Sequence, residues 1–187
     1  MSMIVVYATS TLHTLGVLAP AGQVGAAPEV SALVGDSLPL WAGQPTGKAL
    51  PLTFLATELA SAVVTDQPDA LVAPLAFGVQ VKDGEPLADL LALRPGLGGN
   101  GPLAPPPKGV TVTADPNGVT VTLPQPADRD LAVLVVVGNA SATQHPPGST
   151  IRQGTATATI PITLDAGPYA ILALVSGWRG VMTQGPA

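Results

Sequence analysis

The stretch Gly109-Val-Thr-Val-Thr-Ala-Asp-Pro-Asn-Gly-Val-Thr-Val-Thr-Leu123 alternates valine and threonine on both sides of Asp115-Pro116-Asn117-Gly118. Alternation of apolar and polar side chains with period two marks strands that bury one face and wet the other. The centre reads as a turn for a physical reason: Pro116 sets φ, while Asn117 and Gly118 tolerate positive φ. A β-hairpin or a pair of sequential strands is therefore expected. Working outward toward the C-terminus, Leu131 to Val137, Thr155 to Thr163, Tyr169 to Ser176 and Val181 to Thr183 are further strand candidates. Six short strands separated by turn signals within about 80 residues form the pattern of a β-sandwich.

Working outward toward the N-terminus, Arg94-Pro-Gly-Leu-Gly-Gly-Asn-Gly-Pro-Leu-Ala-Pro-Pro-Pro-Lys108 suits neither helix nor central strand. Proline lacks the N–H donor and glycine lacks stiffness. Residues 94–107 are expected to be a semi-rigid linker that separates residues 1–93 from residues 108–187. In the first segment Ile4 to Thr9, Thr14 to Leu18 and Glu29 to Val34 read as strands. Leu50 to Thr65 reads either as a strand bent at Glu58 or as a short helix with Leu52, Leu55, Leu59 and Val63 on one face. Its Val, Thr and Phe content and the Asp66-Gln-Pro-Asp69 turn favour a hairpin to Leu71 through Val81. Glu85 to Leu93 has the spacing of one or two helical turns, with Pro86 at an allowed early position. The expected fold class is mainly β: an N-terminal β-rich domain plus a C-terminal sandwich.

Within the C-terminal segment, Ile162-Thr-Leu-Asp-Ala-Gly-Pro-Tyr-Ala-Ile-Leu-Ala-Leu-Val175 resembles the E to F corner of fibronectin type III and immunoglobulin-like modules. The resemblance covers residues 108–187 and implies that Tyr169 is the corner tyrosine, whose hydroxyl bonds backbone across the turn. Leu123 stands where fibronectin modules often carry a strand B tryptophan, so the subfamily is left open.

Composition narrows the function. Only 10% of residues are charged, against about 25% in ordinary soluble domains, and the mean hydropathy is +0.44. A spanning helix needs roughly 20 consecutive apolar residues, and the longest apolar runs here are strand-sized, so no membrane span is expected. No Lys or Arg precedes Lys48, so the chain lacks the positive start of a secretory signal and reads as unprocessed. Without cysteine there is neither a disulfide framework nor a thiolate metal site. A net charge of -5 with the seven Lys and Arg spread singly along the sequence argues against a nucleic-acid partner.

Four letters raise one chemistry. Gly35-Asp36-Ser37-Leu38 resembles the nucleophile block of the GDSL, or SGNH, hydrolases. That resemblance implies an α/β fold, oxyanion donors from later Gly and Asn blocks, and an Asp-x-x-His near the C-terminus. A serine needs its base, because a free hydroxyl is a weak nucleophile. The chain offers only His13 and His145, and Ala142 stands where the Asp would precede His145. The nearest Asn block, Gly98-Gly-Asn-Gly101, lies in the expected linker. Asp36 and Ser37 read better as a turn after a strand ended by Gly35. His13 and His145 without cysteine make a poor zinc pair. Asp128-Arg-Asp130 lacks a calcium loop's ligand series and reads as a solvated turn with a local ion pair. Asn139-Ala-Ser141 matches a glycosylation sequon that an unexported chain would not use.

No catalytic, cofactor-binding or metal-binding residue is therefore assigned, and no cofactor is expected. Uncharged surface on a folded chain tends to become interface, and Trp41 and Trp178 are candidate core or interface anchors. The reading that follows is a non-enzymatic structural subunit of a large assembly, by analogy with phage capsid, tail or decoration proteins or a related injection particle. Its partners would be itself or other structural subunits, and its location the assembled particle. Residues 1–93 would carry the assembly contacts. The alternative is a monomeric carbohydrate- or protein-binding module anchored at Trp41 or Trp178. A GDSL-type hydrolase is the remote alternative.

Overall fold

A computed structural model describes residues 2–22, 24–42, 49–96, 108–164 and 167–185. The chain is mainly β, built from several small antiparallel sheets. It divides into two compact units: Met1–Leu38 with Phe54–Leu93, and Pro39–Thr53 with Arg94–Ala187.

The elements in chain order up to Leu93 are β1 (Ser2–Ala8), β2 (Thr14–Leu18), α1 (Val30–Val34), β3 (Ser37–Ala42), β4 (Leu50–Leu55), β5 (Leu59–Thr65), α2 (Pro68–Val72), β6 (Phe77–Lys82) and β7 (Glu85–Ala92). In the first unit β1 is the middle strand of an antiparallel sheet ordered β2-β1-β5. Met3, Val5 and Tyr7 of β1 share a core with Ala62 and Val64 of β5, Phe77 and Val79 of β6, and Leu90 of β7. Ile4, Val6 and Ala8 are buried too, so both faces of β1 are covered. That explains the unbroken apolar run Met3-Ile-Val-Val-Tyr7, where a one-sided strand would alternate.

Several expectations for this unit change. Leu50 to Thr65 is indeed extended on both sides of a bend: β4 and β5 flank a 3-10 turn at Ala56–Glu58, where the Leu55 N–H donates to the Glu58 carboxylate at 2.9 Å. The partner of β5, however, is β1, paired from Ser2↔Thr65 to Ala8↔Leu59, and β4 pairs with β3. The stretch expected as a strand from Glu29 to Val34 contains the five-residue helix α1, stopped by Gly35 at φ 68. The Leu71 to Val81 stretch holds the end of α2 and a second 3-10 turn before β6 begins. Glu85 to Leu93, expected to be helical, is the strand β7. The cause is Asp83-Gly84, whose φ values of 55 and 85 close a two-residue hairpin loop between Lys82 and Glu85. Positive φ at both loop positions twists the chain the way paired strands need.

Tyr7 is a pH-sensitive element of this core. Burial raises its hydroxyl above the ordinary value of 10.0, and the Glu85 carboxylate adds to the shift. The folded state therefore holds this proton more tightly than the unfolded chain. Its contribution to stability is complete below the unfolded pKa and is lost as pH rises through the higher folded value. The melting temperature is expected to fall above about pH 10, and Tyr7→Phe should remove that part of the fall. Thermal melts of both proteins across alkaline pH, with phenolate absorbance as a second readout, check this.

The second unit contains β8 (Thr111–Asp115), β9 (Gly118–Thr122), β10 (Leu131–Asn139), β11 (Thr143–Gln144), β12 (Ser149–Ile151), β13 (Thr157–Pro161), β14 (Tyr169–Val175) and β15 (Val181–Gln184). One antiparallel sheet is ordered β13-β9-β8, and another β11-β10-β14-β15 with β12 also on β10. Val119 and Val121, Ala158 and Ile160, Val133, Val135 and Val137, and Ile171, Ala173 and Val175 form one core fed by both sheets. The Val-Thr hairpin is present in register from Thr111↔Thr122 to Asp115↔Gly118. Its turn differs from the expected one: neither Asn117 nor Gly118 has positive φ among the described residues. The Asp115 carboxylate instead accepts from the Asn117 N–H at 2.8 Å.

The opposite face of β10 and β14 is buried as well. Val136, Leu172 and Leu174 each have 0% exposure, and Gly138 shares their face by its pairing with Ala170. A Cβ on Gly138 would collide with the Pro51 carbonyl oxygen and press on Leu52. The Thr53 N–H donates to Thr143 Oγ1 at 3.2 Å, and Gln184 Nε2 donates to the Ala42 carbonyl at 3.1 Å. Residues 39–42 and 49–53, carrying most of the β3-β4 ribbon, thus pack on this sheet. A boundary that keeps residues 1–93 together is therefore redrawn to leave 39–53 with the second unit. Of the expected linker, Arg94–Gly96 belongs to the second unit, where the Arg94 N–H donates to the Gly177 carbonyl at 3.1 Å. Residues 97–107 lie outside the described residues.

Candidate functional site

Ser37 is the first residue of β3, immediately after the turn at Gly35–Asp36. It shares the first unit with His13, while His145 is in the second. Among the described residues no hydrogen bond joins Ser37 to either histidine. His13 is fully buried, as are its neighbours Thr11 and Thr14, and the hydroxyls of both threonines lack a hydrogen-bond partner among the described residues. No cluster of three or more potential metal-ligating His, Cys, Asp or Glu side chains occurs among the described residues. Among the described residues no helix is long and apolar enough to cross a membrane.

The acidic turn after β9 is tied to structure. Asp130 Oδ1 accepts from the Gln153 N–H at 2.8 Å, and Asp128 pairs with Arg94 at 3.6 Å, not with its neighbour Arg129. Asn139 Oδ1 accepts from the N–H groups of Ser141 and Ala142, both at 2.8 Å, which shapes the turn after β10. Tyr169 opens β14 and packs against the second unit's core. Its carbonyl accepts from the Gly185 N–H at 3.0 Å, and its ring lies where a Cβ on Gly185 would stand. Residues 165–166 of the expected corner lie outside the described residues.

The two tryptophans part company. Trp178 is 3% exposed and belongs to the second unit's core, with the Arg94 guanidinium 5.8 Å from its ring centre. A surface anchor must therefore be Trp41, which is 62% exposed. Next along β3, Ala42 lines a surface cavity of ≈ 430 Å³ with Met182, Thr183 and Gln184.

Among the described residues the other large apolar side chains left in solvent are Leu18, Leu55, Leu71, Val72, Val81, Leu87 and Leu91. All seven belong to the first unit. Val72, at 88%, ends the short helix α2, and Leu87 and Leu91 lie on β7, whose described hydrogen-bonded partner is β6. Burying one such side chain contributes on the order of 1.5–3 kcal/mol, so a few of them account for a firm contact. Comparison with known protein families, curated proteins and solved structures finds no match. The chemistry of these residues is thus what speaks to function. Contiguous apolar groups rimmed by polar ones mark contact surfaces, and the acidic side chains Asp66, Asp69, Asp83, Glu85 and Asp89 are interleaved with these in the sequence. Sequence reasoning offers Trp41 as a surface anchor but none of the seven. An apolar residue in a strand is assigned to the core by default, and only the packing shows which ones the core leaves out.

Proposed function

We propose that the chain is a non-enzymatic structural subunit of a large protein assembly, of the kind that forms phage capsids, tails, decoration layers or related injection particles. One observation carries this reading: among the described residues, seven of the eight exposed large apolar side chains sit on the first unit, in a chain with only 10% charged residues. The first unit would make the lattice contacts, and the chain would reside in the assembled particle. The second unit is proposed to be an immunoglobulin- or fibronectin III-like module. Lettering β8, β9, β10, β13, β14 and β15 as A, B, C, E, F and G places A, B and E in one sheet and C, F and G in the other, as in that architecture.

Light scattering over a concentration series tests the assembly reading. The expected mass is well above the 18.6 kDa of one chain and grows with concentration. Joint substitution of Leu87 and Leu91 by Ser should lower it without lowering the melting temperature, because both are already in solvent. A clean monomer at the highest concentration overturns self-assembly. A second reading, a monomeric carbohydrate- or protein-binding module, is favoured by the exposure of Trp41. It predicts a monomer whose ligand binding is lost in Trp41→Ala.

A further inference from the structure

The seven cations are separated in sequence, yet the second unit gathers five of them at one end. Arg94 and Arg179 are joined by their backbones, the Arg179 N–H donating to the Arg94 carbonyl at 2.9 Å. The Arg94 side chain reaches Asp128 at 3.6 Å, which brings the turn containing Arg129 alongside. That turn is hydrogen-bonded to the one containing Arg152: the Ala127 N–H donates to the Thr155 carbonyl at 2.7 Å, and the Gly154 N–H to the Ala127 carbonyl at 2.9 Å. Lys108 completes the group, since a Cβ on Gly96 would stand 2.6 Å from its carbonyl oxygen. All five are exposed with the whole chain present. Of the two carboxylates at this end, Asp128 is paired with Arg94 and Asp130 accepts from a backbone N–H.

The first unit has the opposite character. It holds eight carboxylates, Glu29, Asp36, Glu58, Asp66, Asp69, Asp83, Glu85 and Asp89, against the single cation Lys82. On β7 the exposed residues Glu85, Leu87, Asp89 and Leu91 put carboxylates and apolar groups on one short strand. Resting on the assembly reading, we infer that copies associate head to tail, the basic end of one second unit docking on the acidic, apolar β7 of another copy's first unit. The occupant is a second copy because the complementary charge is on the same chain and both surfaces are exposed in it. Unlike patches meeting in this way make a heterologous contact, which closes into a ring or continues as a filament. Opposite charges steer and register such contacts, and screening weakens them.

The test is light scattering on the full chain, first against salt and then with charge reversals. Between about 0.05 and 0.5 M NaCl, where the screening length falls severalfold, the average mass is expected to drop at least about twofold. The pair Glu85→Lys and Asp89→Lys should dissociate the protein, and so should the pair Arg152→Glu and Arg179→Glu. An equimolar mixture of the two double variants should recover mass, because each reversed surface then faces its complement. Circular dichroism melts check that both variants fold, and the salt series on the unaltered chain stands without them. Wild-type particles whose mass ignores both salt and reversal overturn this inference alone. A wild type that is monomeric at low salt overturns the self-assembly reading and this inference with it. A reversal that shifts the melting temperature but not the mass also overturns the inference.

Discussion

Gly138→Ala is expected to destabilise the second unit by about 3 kcal/mol, lowering the melting temperature by roughly 6–12 °C. Gly138 lies in β10, hydrogen-bonded on one side to β14 and on the other to β11 and β12. A methyl group there meets the Pro51 carbonyl and the Leu52 side chain. The carbonyl is backbone and cannot swing aside as a side-chain tip would, and β10 is held on both edges. Either the ribbon lifts from the sheet or the sheet bends. Lifting would expose Leu52, which is fully buried, and part of the face formed by Val136 and Leu172. Thermal unfolding followed by circular dichroism reads the effect. A variant that melts within about 1 °C of the parent would mean that the ribbon does not rest on β10, and the assignment of residues 39–53 to the second unit would fall.

Trp178→Ala should cost as much or more, about 3–5 kcal/mol, the range for emptying a buried aromatic site. The ring is 3% exposed and belongs to the core shared by both sheets of the second unit. The contrast with its neighbour is part of the prediction. Arg94 stacks over the same ring and pairs with Asp128, but its side chain is 54% exposed. An exposed ion pair and an exposed cation-π contact contribute only about 0.5–1 kcal/mol each, so Arg94→Ala should be several times milder. Fluorescence supplies a check independent of stability: Trp178→Ala should remove the blue, buried component and leave the solvent-exposed emission of Trp41. If the emission lost on mutation is the red component, Trp178 is the exposed ring and its role in the core is wrong.

The redrawn boundary also changes how the units can be tested. Deleting residues 108–187 leaves residues 39–53 without the sheet they cover, so loss of assembly in such a truncation would not separate the roles of the units. Point substitutions in the full chain do.

Different signals in the sequence had different reach. The Val-Thr alternation of β8 and β9 predicts strands with one wet face, and the exposed Thr111 and Thr113 agree. Val133 to Val137 does not alternate, which suits a strand covered on both faces, and the structure buries both faces of β10. Periodicity says that such a strand is covered, but not by what. Glu85 to Leu93 has the spacing of helical turns, but Asp83-Gly84 just before it carries the hairpin signal that makes it the strand β7. Ser37 stood out by its neighbours alone, and a four-letter match carries no information about where its base would sit.

What the amino-acid sequence determined by itself is local: strand-forming periods, turns set by Asp, Pro and Gly, and a shortage of charge that leaves uncharged surface. These depend on residues within a few positions of one another, so they can be read without the fold. Three features arose only in the tertiary structure. Residues 39–53 joined the second unit because Gly138 leaves room for Pro51 to lie against β10. Seven large apolar side chains among the described residues stayed in solvent because the first unit's core closes without them. Five cations spaced far apart in the chain became one basic end because the turns that carry them are stitched together by backbone hydrogen bonds and the Arg94–Asp128 pair. Each depends on which distant segments meet, and that is settled by packing and backbone pairing across the whole unit.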